Sequence, residues 1–354
     1  MSRRTLLGRT ATHAAEWSRR GRAVPVYAAI RALGRDGVRA LVERCCDHAR
    51  ELVHGIGALP DVEVLSEPGI NQGLVRFRSA DGDHDRRTDE VIADPGRRRD
   101  LVQRFSTLLA WAAMNDLELA FSTADLAAEL ALTHFRTGVA VSLKADGSQV
   151  TEADRAVEQL LRDTLSAARP GDAFLGEEFG ELGESDRVWI LDPIDGTSFF
   201  TRGDPNWRIH LALEINGIIE LAVVAAPALQ RTWWATRGGG AYESAPSGTR
   251  RLHVSTTATL ATAVLDALGN DPRLPTARPP ATPLPLVELV RGELDAFLVE
   301  RYYKWDHAPW ILLVEEAGGR FTNPTGTNTG DQGGGLYSNT NLHPELLKAL
   351  NYPS

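Results

Sequence analysis

Residues 175–200 read LGEEFGELGESDRVWILDPIDGTSFF, and four carboxylates, Glu177, Glu178, Asp192 and Asp195, cluster around the apolar run Val188 to Leu191. Crowded carboxylates repel one another and raise each other's pKa unless a positive charge sits among them. The apolar run reads as a strand ending at Leu191, where proline forces a turn, and Gly196 and Thr197 then start a helix. Such a turn brings Asp192 and Asp195 together beside a backbone carbonyl and free amide N–H groups. Hard divalent cations such as Mg²⁺ take oxygen ligands, and amides at a helix start bind anions, so a cation and a phosphate could meet here. Taken alone, Asp-Gly is also an ordinary turn, and Asp192 an ordinary cap.

Outward from this stretch, Glu177 follows the apolar AFL and so sits at a strand end. Asp306, in WDHAPW, stands where an N-cap belongs, with Pro309 in the first helical turn. Thr151 opens the amphipathic helix VTEADRAVEQLLRDTL, and with Asp154 it reads equally well as a capping box. Residues 209–227 form a hairpin turned by Asn216-Gly217. WDHAPWILLVEEAGG is a helix closed by Gly318-Gly319. Residues 268–286 are so rich in proline that they should be irregular.

A chain of 354 residues with 43% hydrophobic content suits one large or two smaller globular domains. No apolar run is long enough to span a bilayer, and the expected location is the cytoplasm. The net charge of -9 is uneven: residues 1–100 hold 18 arginines against 15 acidic residues, while the remainder is strongly acidic. The interspersed basic residues do not make the clustered face that nucleic acid requires. The adjacent Cys45 and Cys46 fit neither a disulfide framework nor a zinc pair. Lys144 is either a surface lysine or a local counter-charge to the acids. The polar stretch 79–100, with Pro95-Gly96, marks a domain edge, separating an N-terminal segment (1–98) from a main domain (99–354).

The ordered set K..DGS-VTEADRAVE, GEE, DPIDGT and WD followed by EAGG resembles the inositol monophosphatase family, from about Leu101 to Leu346. Within it, VTEADRAVEQLLRDTLSAARPGDAFLGEEFG and VVAAPALQRTWWATRGGGAY are most similar to bacterial histidinol-phosphate phosphatases of that type. The resemblance implies an α/β (α+β) layered sandwich of the inositol monophosphatase and fructose-1,6-bisphosphatase kind, two to three Mg²⁺ ions, a small phosphate ester as substrate, and a homodimer. It implies that Glu177, Asp192 and the Ile194 carbonyl hold the ion that activates water, and that Asp192, Asp195 and Asp306 hold a second at the leaving-group oxygen. Thr197, linked to Asp154, would orient the water, and the amides of Gly196 and Thr197 would hold the phosphate. Glu300, six residues before Asp306, takes the place of a substrate-contacting glutamate. The substrate so implied is L-histidinol phosphate, with inositol 1-phosphate as the alternative and a weakened metal- or phosphate-binding remnant as a third reading. Two departures bear on the pocket: Phe199 replaces the usual asparagine, and ATPLPLVELVRGELDAF replaces the usual pocket segment.

The stretch EWSRRGRAVPVYAAIRALGRDGVRALVERCCDHARELVHGIGALPDVEVLSEPGINQGLVRF resembles the C-terminal region of pyridoxal-phosphate-dependent decarboxylases. No lysine precedes Lys144, so no Schiff base forms there and no pyridoxal phosphate is expected.

Overall fold

The computed structural model describes residues 62–66, 74–79, 81–83, 114–135, 141–143 and 149–353, apart from 268–272, 275–276, 278, 281, 301 and 332, together with isolated helical positions before residue 112. Lys144 and most of the decarboxylase-like stretch lie outside the described residues. The chain divides into two compact units, Met1–Ala113 and Met114–Ser354. In the first, β1 (Val62–Ser66) and β2 (Leu74–Phe77) pair antiparallel.

The second unit opens with α1 (Asp116–His134), begun by a capping box in which Asn115 and Glu118 exchange side-chain-to-backbone bonds. The short strands β3 (Val141–Leu143) and β4 (Gln149–Thr151) lead into α2 (Glu152–Ala168). There follow β5 (Ala173–Gly176), β6 (Gly180–Leu182), β7 (Arg187–Asp195), the short helix α3 (Thr197–Thr201), β8 (Arg208–Ile215) and β9 (Ile218–Ala226). Three more strands, β10 (Arg231–Thr236), β11 (Gly240–Ala245) and β12 (Gly248–Arg251), complete an eight-stranded sheet in the order β12-β11-β10-β9-β8-β7-β5-β6. The β8–β9 turn is the expected Asn216-Gly217 pair, both at positive φ (52° and 78°), the conformation a two-residue hairpin of this twist requires.

The C-terminal region adds β13 (Leu265–Ala267), α4 (Pro285–Val290), β14 (Ala296–Val299), α5 (Lys304–Glu316), β15 (Gly319–Thr322), β16 (Gly335–Asn339) and α6 (His343–Leu350). The helix α4 starts inside the proline-rich segment expected to be irregular, with Pro285 in its first turn, where its missing N–H costs nothing. Strands β13-β14-β16-β15 make a second, four-stranded sheet.

Alternation within the strands sets the layers. Trp234 meets Phe121 of α1 edge-on, whereas its neighbour Trp233 faces the other way toward Trp310 of α5. The large sheet therefore lies between α1 and α2 on one face and α5 on the other. Phe297, Phe321 and Tyr337 of the small sheet join the same core beyond α5, and Leu346, Leu347 and Leu350 of α6 cover that sheet's outer face. The expected layered α/β sandwich is what forms. Fully buried Trp189, Trp207 and Trp233 anchor it, each contributing on the order of 2 kcal/mol or more by burial alone.

Candidate active site

Four elements converge on the carboxylates. Strand β5 runs parallel to β7 with Gly176 opposite Leu191, and the Glu177 N–H donates to the Leu191 carbonyl at 3.2 Å. Glu177 is thereby held next to Asp192. The turn that carries Glu177 rests on α2: buried Glu158 accepts from the N–H groups of Glu178 (2.7 Å) and Phe179 (3.3 Å) and is paired with Arg162 at 2.8 Å. Gly176 makes this possible, because a Cβ there would stand 2.0 Å from the Glu158 carboxylate. Neither Glu158 nor Arg162 was legible as a site residue, since an i, i+4 acid–base pair on an amphipathic helix normally faces water.

The strand does not end at Leu191. β7 continues through Pro193 and Ile194 to Asp195, and the proline is accommodated in a bulge. Asp192 pairs with His210 and Asp195 with Arg208, three steps on β7 against two on β8. In an unbroken strand Asp192 and Asp195 would point to opposite faces. The extra residue turns both toward α5, the face that Arg208 and His210 share.

There α5 presents Asp306. Its helix begins at Lys304, next to the expected Trp305, but the N-cap is Tyr303 and not Asp306, which at the third helical position accepts the Tyr303 N–H at 2.6 Å. Pro309 is consequently the sixth helical residue, not one of the first turn, and it leaves the Trp305 carbonyl without a helical donor. Oxygens of Asp192, Asp195 and Asp306 lie within 4.8 Å of one another.

The DGT turn supplies the remaining groups. Gly196 adopts φ 81°, and a Cβ would press on Phe199 at 3.0 Å. The five-residue helix α3 is too short to stand alone. It is held by Phe200, buried between Phe135 and Trp207 with ring centroids at 5.4 and 5.0 Å. The Thr197 hydroxyl lies 3.2 Å from Asp154 and 3.1 Å from the Ile194 carbonyl, so its single proton serves one acceptor at a time. Asp154 does double duty, because its other oxygen accepts from the Thr151 N–H at 2.8 Å, closing the capping box. The two readings of Thr151 and Asp154 thus hold together.

The carboxylates are not equivalent. Burial, then the charges of Glu177, Asp195 and Asp306, push Asp192 well above the usual carboxylate range. Burial and Asp195 push Asp306 up to about 8. Asp195 is also pushed up by burial, but Arg208 and His210 overcome this and hold it below its ordinary value. Burial lowers His210 to about 4, so it is neutral at pH 7.

The adjoining pocket is lined by Asp195, Arg208, His210, Tyr302, Asp306 and Trp310, with Pro283 to Leu286 of the proline-rich segment as one wall. Glu300 follows β14 with its side chain exposed and is not among the lining residues. His307 is packed in the core, 2.6 Å from the Tyr337 hydroxyl. Sequence reasoning missed Arg208 and His210. The available signal was the alternation of RIHLALEI, which places Arg208, His210 and Glu214 on one face of a strand.

The sequence profile of the inositol monophosphatase family matches residues 113–352. A histidinol-phosphatase of Mycobacterium tuberculosis is 39% identical over 256 residues, covering 67% of this chain and 98% of that protein. A histidinol-phosphatase of Streptomyces coelicolor is 36% identical, covering 67% of this chain and 97% of that protein. Among solved structures, the Thermotoga maritima IMPase superposes with a TM-score of 0.58 at 29% identity, covering 67% of this chain and 97% of that one.

Proposed function

The chain belongs to the inositol monophosphatase family and is a phosphomonoesterase; from that premise we propose that it depends on Mg²⁺ and hydrolyses L-histidinol phosphate to L-histidinol and phosphate. The observation that carries the metal dependence is the buried excess of negative charge. Asp192 is 1% exposed and stands among Glu177, Asp195 and Asp306, and crowded carboxylates in such a setting are costly unless protonated or bound to a cation.

All the first donors are hard oxygens, which suit Mg²⁺. Glu177, Asp192 and the Ile194 carbonyl would hold one ion, with Asp192, Asp195 and Asp306 around a second position. A divalent ion there lowers the pKa of a nearby water and neutralises charge on the phosphoryl oxygens. The chain's own groups do the positioning. The Thr197 hydroxyl, steered by Asp154 and the Ile194 carbonyl, orients the attacking water, and the Gly196 and Thr197 amides hold the phosphate. The bulge fixes the spacing of the two aspartates, and the Glu158 anchor fixes Glu177. The products are the free alcohol and inorganic phosphate.

The substrate assignment rests on the histidinol-phosphatases that this chain matches over nearly their whole length. A second reading, a weakened metal- or phosphate-binding remnant, is favoured by the proline-rich pocket wall and by Arg208 inside the site. The test is phosphate release from L-histidinol phosphate and inositol 1-phosphate, side by side, with and without Mg²⁺. Mg²⁺-dependent release from histidinol phosphate is expected; preference for the inositol ester overturns the substrate, and release from neither supports the remnant.

A further inference from the structure

Asp195 differs from Asp192 and Asp306 in having a cation at hydrogen-bond distance. Its Oδ2 accepts from Arg208 Nε at 2.5 Å and from Arg208 Nη2 at closer range, and His210 Nε2 lies 3.3 Å away. The guanidinium is fixed in place. The β7–β8 register sets Arg208 opposite Asp195, and its Nη1 reaches the carbonyls of Asn206 (3.3 Å) and Pro283 (3.4 Å). The Arg208 side chain is 11% exposed, so this is a packed residue and no swinging surface arm.

A divalent ion at Asp192, Asp195 and Asp306 would share Asp195 with a permanent positive charge, because arginine does not deprotonate in proteins. On the other side of the cluster, Glu177 and Asp192 crowd one another, and the Ile194 carbonyl takes up the Thr197 hydroxyl at 3.1 Å.

We propose that Arg208 is a resident cation standing in for a divalent ion at Asp195, so that the chain binds a single ion on the Glu177–Asp192–Ile194 side. This rests on the metal-dependent reading of the site and departs from the two to three ions that the resemblance implies. The phosphoryl group then meets one ion and one guanidinium. Arginine suits that second place, since its planar fork binds phosphate oxygens as well as carboxylates.

The experiment is an Mn²⁺ titration of the full chain, counting bound ions from the loss of the free-ion EPR signal, for the parent, Arg208→Ala and Arg208→Lys. One tightly bound ion is expected in the parent, two in Arg208→Ala, and one in Arg208→Lys, which keeps the charge. Thermal melts of the same samples give a second readout. Metal-free Arg208→Ala melts below the parent, and Mn²⁺ raises its melting temperature by more than it raises that of the parent. If Arg208→Ala fails to fold, Arg208→Gln replaces it, and the parent count stands by itself. Two or more tight ions in the parent overturn the inference while leaving the phosphatase reading intact. Equal counts in the parent and the neutral variant overturn it as well. No bound ion in any form overturns both, and phosphate release without added metal, measured separately, shows which reaction class survives.

Discussion

Two acid–arginine clusters lie on the same eight-stranded sheet with opposite imbalances. Toward the β12 edge, Arg231, Arg250 and Arg291 converge on one carboxylate, Glu243, with bonds of 2.7 Å from Arg231 and 2.8 Å from Arg250. On β7 and β8, Asp192, Asp195 and Asp306, crowded by Glu177, have one guanidinium among them. Each cluster carries a surplus of one sign, but the burial of that surplus differs. At Glu243 the buried member is satisfied, and the surplus sits on Arg250 and Arg231, whose side chains are 56% and 37% exposed, where water solvates it. At Asp192 the surplus itself is buried, and water cannot serve it. A buried surplus marks a place for a ligand, whereas an exposed one marks only a surface.

The largest effect that could break this contrast is expected from Asp192→Asn. Phosphate release should fall by about 10²-fold or more, as for loss of a group that holds or orients a metal, while the metal-free protein melts higher because a repulsive charge has gone. Stability and activity thus move in opposite directions. A variant that keeps near-normal turnover, or that loses stability without metal, would place Asp192 in the same structural class as Glu243.

The converse substitution is Glu243→Gln. It leaves three arginines facing a neutral group and should cost about 3 kcal/mol in a denaturant melt, with turnover per folded molecule unchanged. A fall in activity beyond the loss of folded protein would show that the edge cluster communicates with the site.

Much of the negative half of the site was legible. Glu177, Asp192, Asp195 and Asp306 each stand at the end of an apolar run or beside a turn signal, so local patterns were enough. Arg208 was hidden because its meaning depends on register. Only the extra residue of the bulge sets it opposite Asp195, thirteen positions away, and bulges have no sharp sequence signal. The cap of α5 is displaced for a similar reason: Asp306 looks like an N-cap, yet Tyr303 holds that place, and helix boundaries are the least local feature of a helix. The layered fold was legible from alternation and the β8–β9 turn, which are local.

Glu158 sharpens the comparison at a smaller scale, being a buried acid that is fully served by Arg162 and two backbone N–H groups. Glu158→Gln keeps the shape but weakens its grip on the turn carrying Glu177. Turnover should drop by about tenfold, at the lower end of what loss of a supporting group costs, with Mn²⁺ affinity falling in parallel. An unchanged affinity would mean that β5 alone holds Glu177.

The smallest effect per step is expected from pH, and it tests whether the surplus at Asp192 and Asp306 is real. Asp306 titrates at about 8 in the folded chain against 3.8 for the free side chain, and Asp192 is raised alongside it. The folded state therefore holds protons that the unfolded state has already released. Its stabilising contribution is complete below the unfolded value and is lost as pH rises through the folded one. Metal-free stability should decline between about pH 4 and pH 8, by at most about 1.4 kcal/mol per unit for each linked proton, and level off above. Mn²⁺ held by Asp192 displaces the proton there, so the decline should flatten when the ion is present. Metal-free melts with no slope in this window would mean that the carboxylates are already neutralised within the chain, as Glu243 is.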